Sequence, residues 1–284
     1  MLVGLAGAYV RPTLVSPVAG FIQVSPLLLL SSCAAPARRV TRVAPRPRST
    51  HSDSPTMVVK AITFDLDDTL WETMPSLMRA HEMHISFVNS NYPKIELDGD
   101  KLKAEMKSMR EVLDDGGADL SKLRRSSLES LAKKAGYDNF EEVAGGAMEV
   151  FMRERNNVDV FEGVLDTLQS LRDRGLVLGA ITNGNADVEQ TPLRGMLHFS
   201  VLAGKLGTLK PGAEPFMEAA RQAGADVKEM VHVGDDLVTD VQGARGVGMR
   251  TVWLKRKGKE LEGEAPDGVI ESVKELPALL EPWY

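Results

Sequence analysis

The chain has 284 residues, 43% of them hydrophobic and 26% charged, which excludes a disordered or fibrous protein and leaves room for one large domain or a domain with an insert. A single Cys excludes an intramolecular disulfide framework and a cysteine-based zinc cluster. The net charge of -6 argues against a general affinity for nucleic acid.

That charge is unevenly divided. Residues 1–52 hold six Arg and no Lys, Asp or Glu, a net +6, which leaves -12 for residues 53–284. A segment rich in Ser, Ala, Pro and Arg and poor in acids has the composition of an organellar transit peptide. Residues 1–56 are therefore expected to be an address without a fold of its own, for the chloroplast or plastid, with the mitochondrion or the secretory route as alternatives. Its most apolar stretch, Val18 to Leu30, is interrupted by Gln23, Ser25 and Pro26 and is too short to span a membrane. Met57 could serve as an internal start.

Val58 to Phe64 is short, apolar and β-branched, which predicts a buried strand running into Asp65, Leu66, Asp67 and Asp68. No strand-like run follows until after Asn157. Helical periodicity instead predicts helices over Leu77 to Val88, Leu102 to Leu113, Leu123 to Ala135 and Phe140 to Arg153, punctuated by Pro93, Gly116, Gly117 and Gly136. Beyond Gly163 the pattern alternates: helix from Val164, strand Leu176 to Ile181, helix Glu214 to Ala223, strand Met230 to Val233, helix Val238 to Arg245, strand Arg250 to Trp253. Alternation predicts an α/β fold, a doubly wound, Rossmann-like parallel sheet with helices on both faces, interrupted by an all-helical insert. The expected division is a core of residues 57–75 and 158–284 and an insert of residues 76–157.

Ligand crevices in such sheets lie beyond the carboxyl ends of the strands. Three of these ends are polar: Asp65 and Asp67, then Thr182, Asn183 and Gly184, then Asp235 and Asp236, with Asp240 close behind. Lys210 adds a cation from a loop. Converging carboxylates repel one another by about 4 kcal/mol per pair at 4 Å when the effective dielectric is near 20, so a divalent cation is expected among them. All-oxygen ligands favour Mg²⁺.

FDLDDTLW (Phe64 to Trp71), ITNGN (Ile181 to Asn185), Lys210-Pro211 and HVGDDLVTD (His232 to Asp240) resemble, in order and spacing, the four motifs of haloacid-dehalogenase-like hydrolases. The resemblance covers about residues 58 to 256 and implies a helical cap inserted after the first motif. It also implies roles. Asp65 is the nucleophile that forms an aspartyl phosphate, and Asp67 is the acid that protonates the leaving oxygen and later the base that activates water. Thr182, Asn183, Gly184 and Lys210 bind the phosphoryl group, with Thr182 and Lys210 also assisting catalysis. Asp65, the Asp67 carbonyl and Asp235 hold Mg²⁺, and Asp240 acts through water or orients a ligand. In that superfamily the second Asp separates phosphatases from dehalogenases, which implies phosphomonoester hydrolysis.

Within the superfamily, the stretches around these motifs, with GMRTVWL (Gly248 to Leu254), are similar to phosphatases acting on flavin mononucleotide (FMN) and 5-amino-6-(5-phosphoribitylamino)uracil, in riboflavin biosynthesis. The alternatives are a phosphatase for phosphoglycolate, a sugar phosphate or a nucleoside monophosphate, a phosphomutase, or a scaffold without activity. The expected partner is a small phosphomonoester, with neither nucleic acid nor membrane, and the chain is expected to be a monomer or homodimer.

The remaining polar residues carry no such chemistry. Asp68 reads as a turn or capping residue and Asp236 as support for its neighbours. Trp71 reads as packing at the base of the insert, with stacking on a substrate ring as the alternative, His81 and His84 as surface or packing residues, and Arg124 and Arg125 as solvated charges, with contact to an anionic substrate as the alternative.

Overall fold

The structure is a computed structural model that describes residues 58–261 and 263–284. The expected address segment, residues 1–56, lies outside the described residues. Six parallel strands form one sheet: β1 (Ala61–Phe64), β2 (Val177–Thr182), β3 (Phe199–Leu202), β4 (Met230–Gly234), β5 (Arg250–Leu254) and β6 (Gly268–Ile270). Their order is β3-β2-β1-β4-β5-β6, so the chain leaves the centre, winds to one edge, and returns across β1 to wind to the other. This is the doubly wound arrangement expected from the alternating pattern, and its reversal point lies between β1 and β4. The sheet had no sequence signal at its two edges: β3 and β6 were not expected.

Alternate residues of each strand feed two cores. Ile62, Phe64, Leu178, Ala180, Val231 and Val233 pack on one face with α5 (Val164–Asp173). Ala61, Ile181 and Met230 pack on the other face with Phe216, Ala219 and Ala220 of α6 (Ala213–Ala223). Because both faces are covered, the strands are apolar throughout rather than alternating.

Between β1 and α5 the chain forms four helices: α1 (Thr73–Asn91), α2 (Gly99–Arg110), α3 (Leu120–Lys134) and α4 (Phe140–Asn156). They enclose a core of their own, in which Ala80, Val88, Leu102, Leu128, Val143, Ala147 and Phe151 are buried. Asp98 and Asp119 cap α2 and α3 by accepting backbone N–H bonds in the first turn. Helix α1 begins at Thr73, ahead of Ser76, because Asp68 accepts from the Thr73 N–H at 3.0 Å and opens it there.

The helix expected over Val238 to Arg245 is a π-helical stretch (Leu237–Gln242) running into the short α7 (Gly243–Gly246). Asp236 opens it by accepting from the N–H groups of Val238 and Thr239 at 2.9 and 2.8 Å. The chain closes with α8 (Leu276–Leu280) against α5. Among the described residues no helix is long and apolar enough to cross a membrane.

Candidate active site

β1 and β4 are hydrogen-bonded neighbours at the reversal point, so their carboxyl ends place Asp65 and Asp235 side by side, and the Asp65 N–H donates to the Val233 carbonyl at 2.9 Å. Carboxylate oxygens of Asp65, Asp235 and Asp240 lie within 4.8 Å of one another, all three residues buried. Asp240 reaches them from the π-helical stretch. Its approach requires Gly234, since a Cβ there would stand 2.3 Å from the Asp240 carboxyl carbon.

Lys210 Nζ sits among them, its side chain 1% exposed, donating to Asp65 Oδ1, Asp240 Oδ1 and the Ile181 carbonyl at 2.7 Å each. One ammonium thus serves two carboxylates. His232 extends the network: its Nε2 is 3.3 Å from Asp240 Oδ1 and its Nδ1 is 2.9 Å from Thr63 Oγ1. The Asp236 N–H donates to Asp240 Oδ2 at 3.1 Å.

Burial alone raises the pKa of each of these carboxyls, and the outcome depends on the counter-charges. Asp240, facing Lys210 and His232, is held well below the ordinary carboxylate range. Asp65 has the weaker claim on the same ammonium and burial wins, pushing it up to about 8. Burial also raises Asp235, although Lys259 donates to its Oδ2 at 2.7 Å. The cluster therefore has oxygen donors and too little positive charge, which suits a hard divalent cation such as Mg²⁺. Asp240 has both oxygens engaged by protein donors, which fits orientation better than direct ligation.

Asp67 is held apart from that cluster. Trp71 Nε1 donates to its Oδ1 at 3.0 Å, and Arg155 Nη2 lies 2.7 and 2.5 Å from its two oxygens. Trp71 is fully buried and packs in the sheet core, so it both packs and orients Asp67. Arg155, 2% exposed, comes from the last turn of α4, and its Nη1 has no hydrogen-bond partner. No sequence signal marked Arg155, which lies 88 residues from Asp67 along the chain.

Facing Asp67 is the turn after β2. Gly184 donates its N–H to Thr182 Oγ1 at 2.9 Å, and a Cβ on Gly184 would stand 2.4 Å from Asp67 Oδ2 and 3.2 Å from Arg155 Nη2. The turn is thus a cradle that only a bare glycine leaves open. Asn183 differs from expectation. Its side-chain amide donates to the Lys210 carbonyl at 3.0 Å and its Oδ1 accepts from the Lys210 N–H at 2.8 Å, so that side chain fixes the lysine loop rather than facing a ligand.

Of three other residues, only the first departs from expectation. Arg124 is buried rather than solvated, with its guanidinium carbon 4.0 Å from the centre of the Phe151 ring. His84 is fully buried inside the helical insert. Lys259 was not singled out in the sequence, and in the structure it is a counter-charge to Asp235.

Residues 59–248 match the model of the haloacid dehalogenase-like hydrolase family. The chain belongs to that family. It is 34% identical over 206 residues to the 5-amino-6-(5-phospho-D-ribitylamino)uracil phosphatase YigB of Escherichia coli (strain K12), a match spanning 72% of this chain and 86% of the bacterial protein. It is 30% identical over 231 residues to the glyceraldehyde 3-phosphate phosphatase of Methanopyrus kandleri, spanning 77% and 96%. Among solved structures it is similar to the 2-haloacid dehalogenase from Pseudomonas syringae pv. Tomato DC3000, with 35% identity and a TM-score of 0.76 over 80% of this chain and all of that one. The family assignment from the four motifs and the fold expected from it therefore stand.

Proposed function

We propose that the chain is a Mg²⁺-dependent phosphomonoester hydrolase in which the helical insert, residues 76–157, serves as a cap over a core of residues 57–75 and 158–284. The observation that carries this reading is the second carboxylate, Asp67, held by Trp71 and Arg155 against the Gly184 turn. A halide leaves without needing a proton; an alkoxide does not. A carboxyl group kept in a fixed orientation beside the phosphoryl cradle supplies that proton.

In this mechanism an Asp65 oxygen attacks phosphorus as the ester P–O bond breaks, and Asp67 gives its proton to the departing oxygen. Asp67 then removes a proton from the water that attacks the aspartyl phosphate, releasing phosphate and restoring Asp65. Thr182 and the main-chain N–H of Asn183 hold the phosphoryl oxygens, with the Gly184 N–H orienting Thr182 and its bare backbone leaving room for the phosphoryl group, while Lys210 offsets charge on Asp65. Mg²⁺, held by Asp65, Asp235 and the Asp67 main chain with Asp240 in support, would neutralise the phosphoryl group and lower the pKa of the nucleophile.

The similarity to the E. coli phosphatase supports 5-amino-6-(5-phospho-D-ribitylamino)uracil as substrate; FMN as a related ester rests on the resemblance of the motif stretches, and the plastid as the compartment on the composition of the basic segment alone. Similarity to a glyceraldehyde 3-phosphate phosphatase favours a second reading, a phosphatase of small sugar phosphates. Steady-state assays with Mg²⁺ across these esters separate the two. The flavin-pathway reading predicts that one of its two esters has the highest kcat/KM. It fails if a sugar phosphate exceeds both by about tenfold, roughly 1.4 kcal/mol of transition-state binding. Asp65→Asn must abolish turnover of every ester.

A further inference from the structure

A groove of about 740 Å³ opens in the helical insert between α1, α2 and α3, and none of the Asp65 cluster lines it. Its wall on α2 is cationic: Lys103, Lys107 and Arg110, spaced to share one helical face, all line it and are exposed. Asp100 is the single acidic residue in the lining. Glu105, the other α2 carboxylate nearby, is turned away and paired with Lys134 at 2.6 Å and Ser130 at 2.5 Å.

At the base of the groove is Arg124, 7% exposed. It is stacked on Phe151, its Nη2 lies 3.4 Å from His81 Nε2, and its Nη1 has no hydrogen-bond partner. Among the described residues no carboxylate pairs with it, and burial alone pulls its pKa down to about 10, still fully charged at neutral pH. A buried guanidinium normally has its charge answered, because leaving a donor unpaired out of water costs more than an ordinary hydrogen bond returns. Phe151 supplies the cation–π part of that answer.

We propose that this groove is a binding site for a small oxyanion, a phosphate or carboxylate group, with Arg124 as its direct donor and Lys103, Lys107 and Arg110 as the surrounding positive field. The site goes beyond the hydrolytic reading and does not depend on it. The oxyanion has two sources: a second acidic group on the substrate, distant from the phosphoryl group being hydrolysed, or a free metabolite anion.

The test uses protein freed of metal on a chelating resin and titrated calorimetrically with inorganic phosphate. Arg124→Met keeps the stem over Phe151 and is expected to weaken phosphate binding at least about tenfold, as for one charge-assisted hydrogen bond. The double variant Lys103→Ala/Lys107→Ala, at exposed positions that the fold does not require, is expected to weaken it as well and decides the matter should Arg124→Met fail to fold. Phosphate affinity unchanged in the double variant, or in a folded Arg124→Met, overturns the proposal. A further arm identifies the source by comparing two substrates, the carboxylate-bearing 3-phosphoglycerate and p-nitrophenyl phosphate, through the ratio of their specificity constants. A fall in that ratio in the double variant assigns the site to a carboxylate on the substrate, and a constant ratio with weakened phosphate binding assigns it to a free anion.

Discussion

The two carboxylates of the first motif are two residues apart, yet their surroundings differ in kind. Asp65 shares a buried lysine with Asp240, while Asp67 is gripped by an indole N–H and a guanidinium. In the proposed mechanism that difference supplies two roles from one residue type, a nucleophile beside counter-charge and a carboxyl group fixed in direction. Arg155 is accordingly a positioning residue. Arg155→Met is expected to lower kcat about 10- to 100-fold, the range of one charged hydrogen bond, with a smaller effect on KM. Arg155→Lys, which retains the charge and one donor, should recover part of kcat; equal losses in both variants would indicate a structural role only. Gly184→Ala tests the same geometry from the opposite side. Its Cβ would overlap Asp67 Oδ2, and a displacement of about 1 Å at such a site costs on the order of 100-fold in kcat. Any fall in melting temperature should reflect that overlap rather than backbone strain, because Gly184 is not among the positive-φ glycines.

At the scale of elements, the helical insert carries its own pH dependence. His84 donates from Nδ1 to the Ala80 carbonyl at 2.8 Å, leaves Nε2 without a partner, and stands edge-on to Phe151. Burial, with Arg124 and His81 adding to it, lowers its pKa from 6.5 to about 4. The folded state therefore binds fewer protons than the unfolded state between these values. Stability contributed by neutral His84 is complete above about pH 6.5 and is lost as pH falls towards 4, by at most about 3 kcal/mol. His84→Asn, which can still donate to Ala80, should flatten the fall in denaturant midpoint between pH 7 and 5. An unchanged slope would falsify this assignment. The helix containing His84 was legible from periodicity, as were the others of the insert and the four inner strands. The edge strands were not, since Phe199–Leu202 and Gly268–Ile270 are only partly covered and lack a continuous apolar run. The motif carboxylates were legible because they follow strands directly. Arg155 and Lys259 were not, because their role comes from a meeting of elements distant in the chain, and no local pattern encodes that.

Across the whole molecule, the first core hydrogen bonds among the described residues follow a few positions after the division of charge at residue 53. The Val59 N–H donates to the Trp283 carbonyl at 3.1 Å, the Lys60 N–H donates to the Glu229 carbonyl at 2.8 Å, and β1 follows at Ala61. Every residue assigned to the site lies at position 65 or later, and the two anchors ahead of β1 are retained in a chain that starts at Met57. The tolerance of a terminus to truncation follows from the burial and hydrogen bonding of what is removed. The chain from Met57 to Tyr284 is therefore expected to keep its kcat/KM within about twofold of the full chain and its cooperative unfolding, measured side by side with Mg²⁺. A larger loss of activity would mean that the basic segment contributes to the site. The complementary experiment fuses residues 1–56 to a fluorescent reporter. Six arginines against the single acid Asp53 should carry the reporter into the plastid, whereas import into mitochondria or retention in the cytosol overturns the plastid assignment and leaves the enzyme chemistry untouched. The two halves of the charge distribution thus carry separable proposals, each with its own test: an address in the +6 segment, and a hydrolytic site built on carboxylates of the -12 remainder.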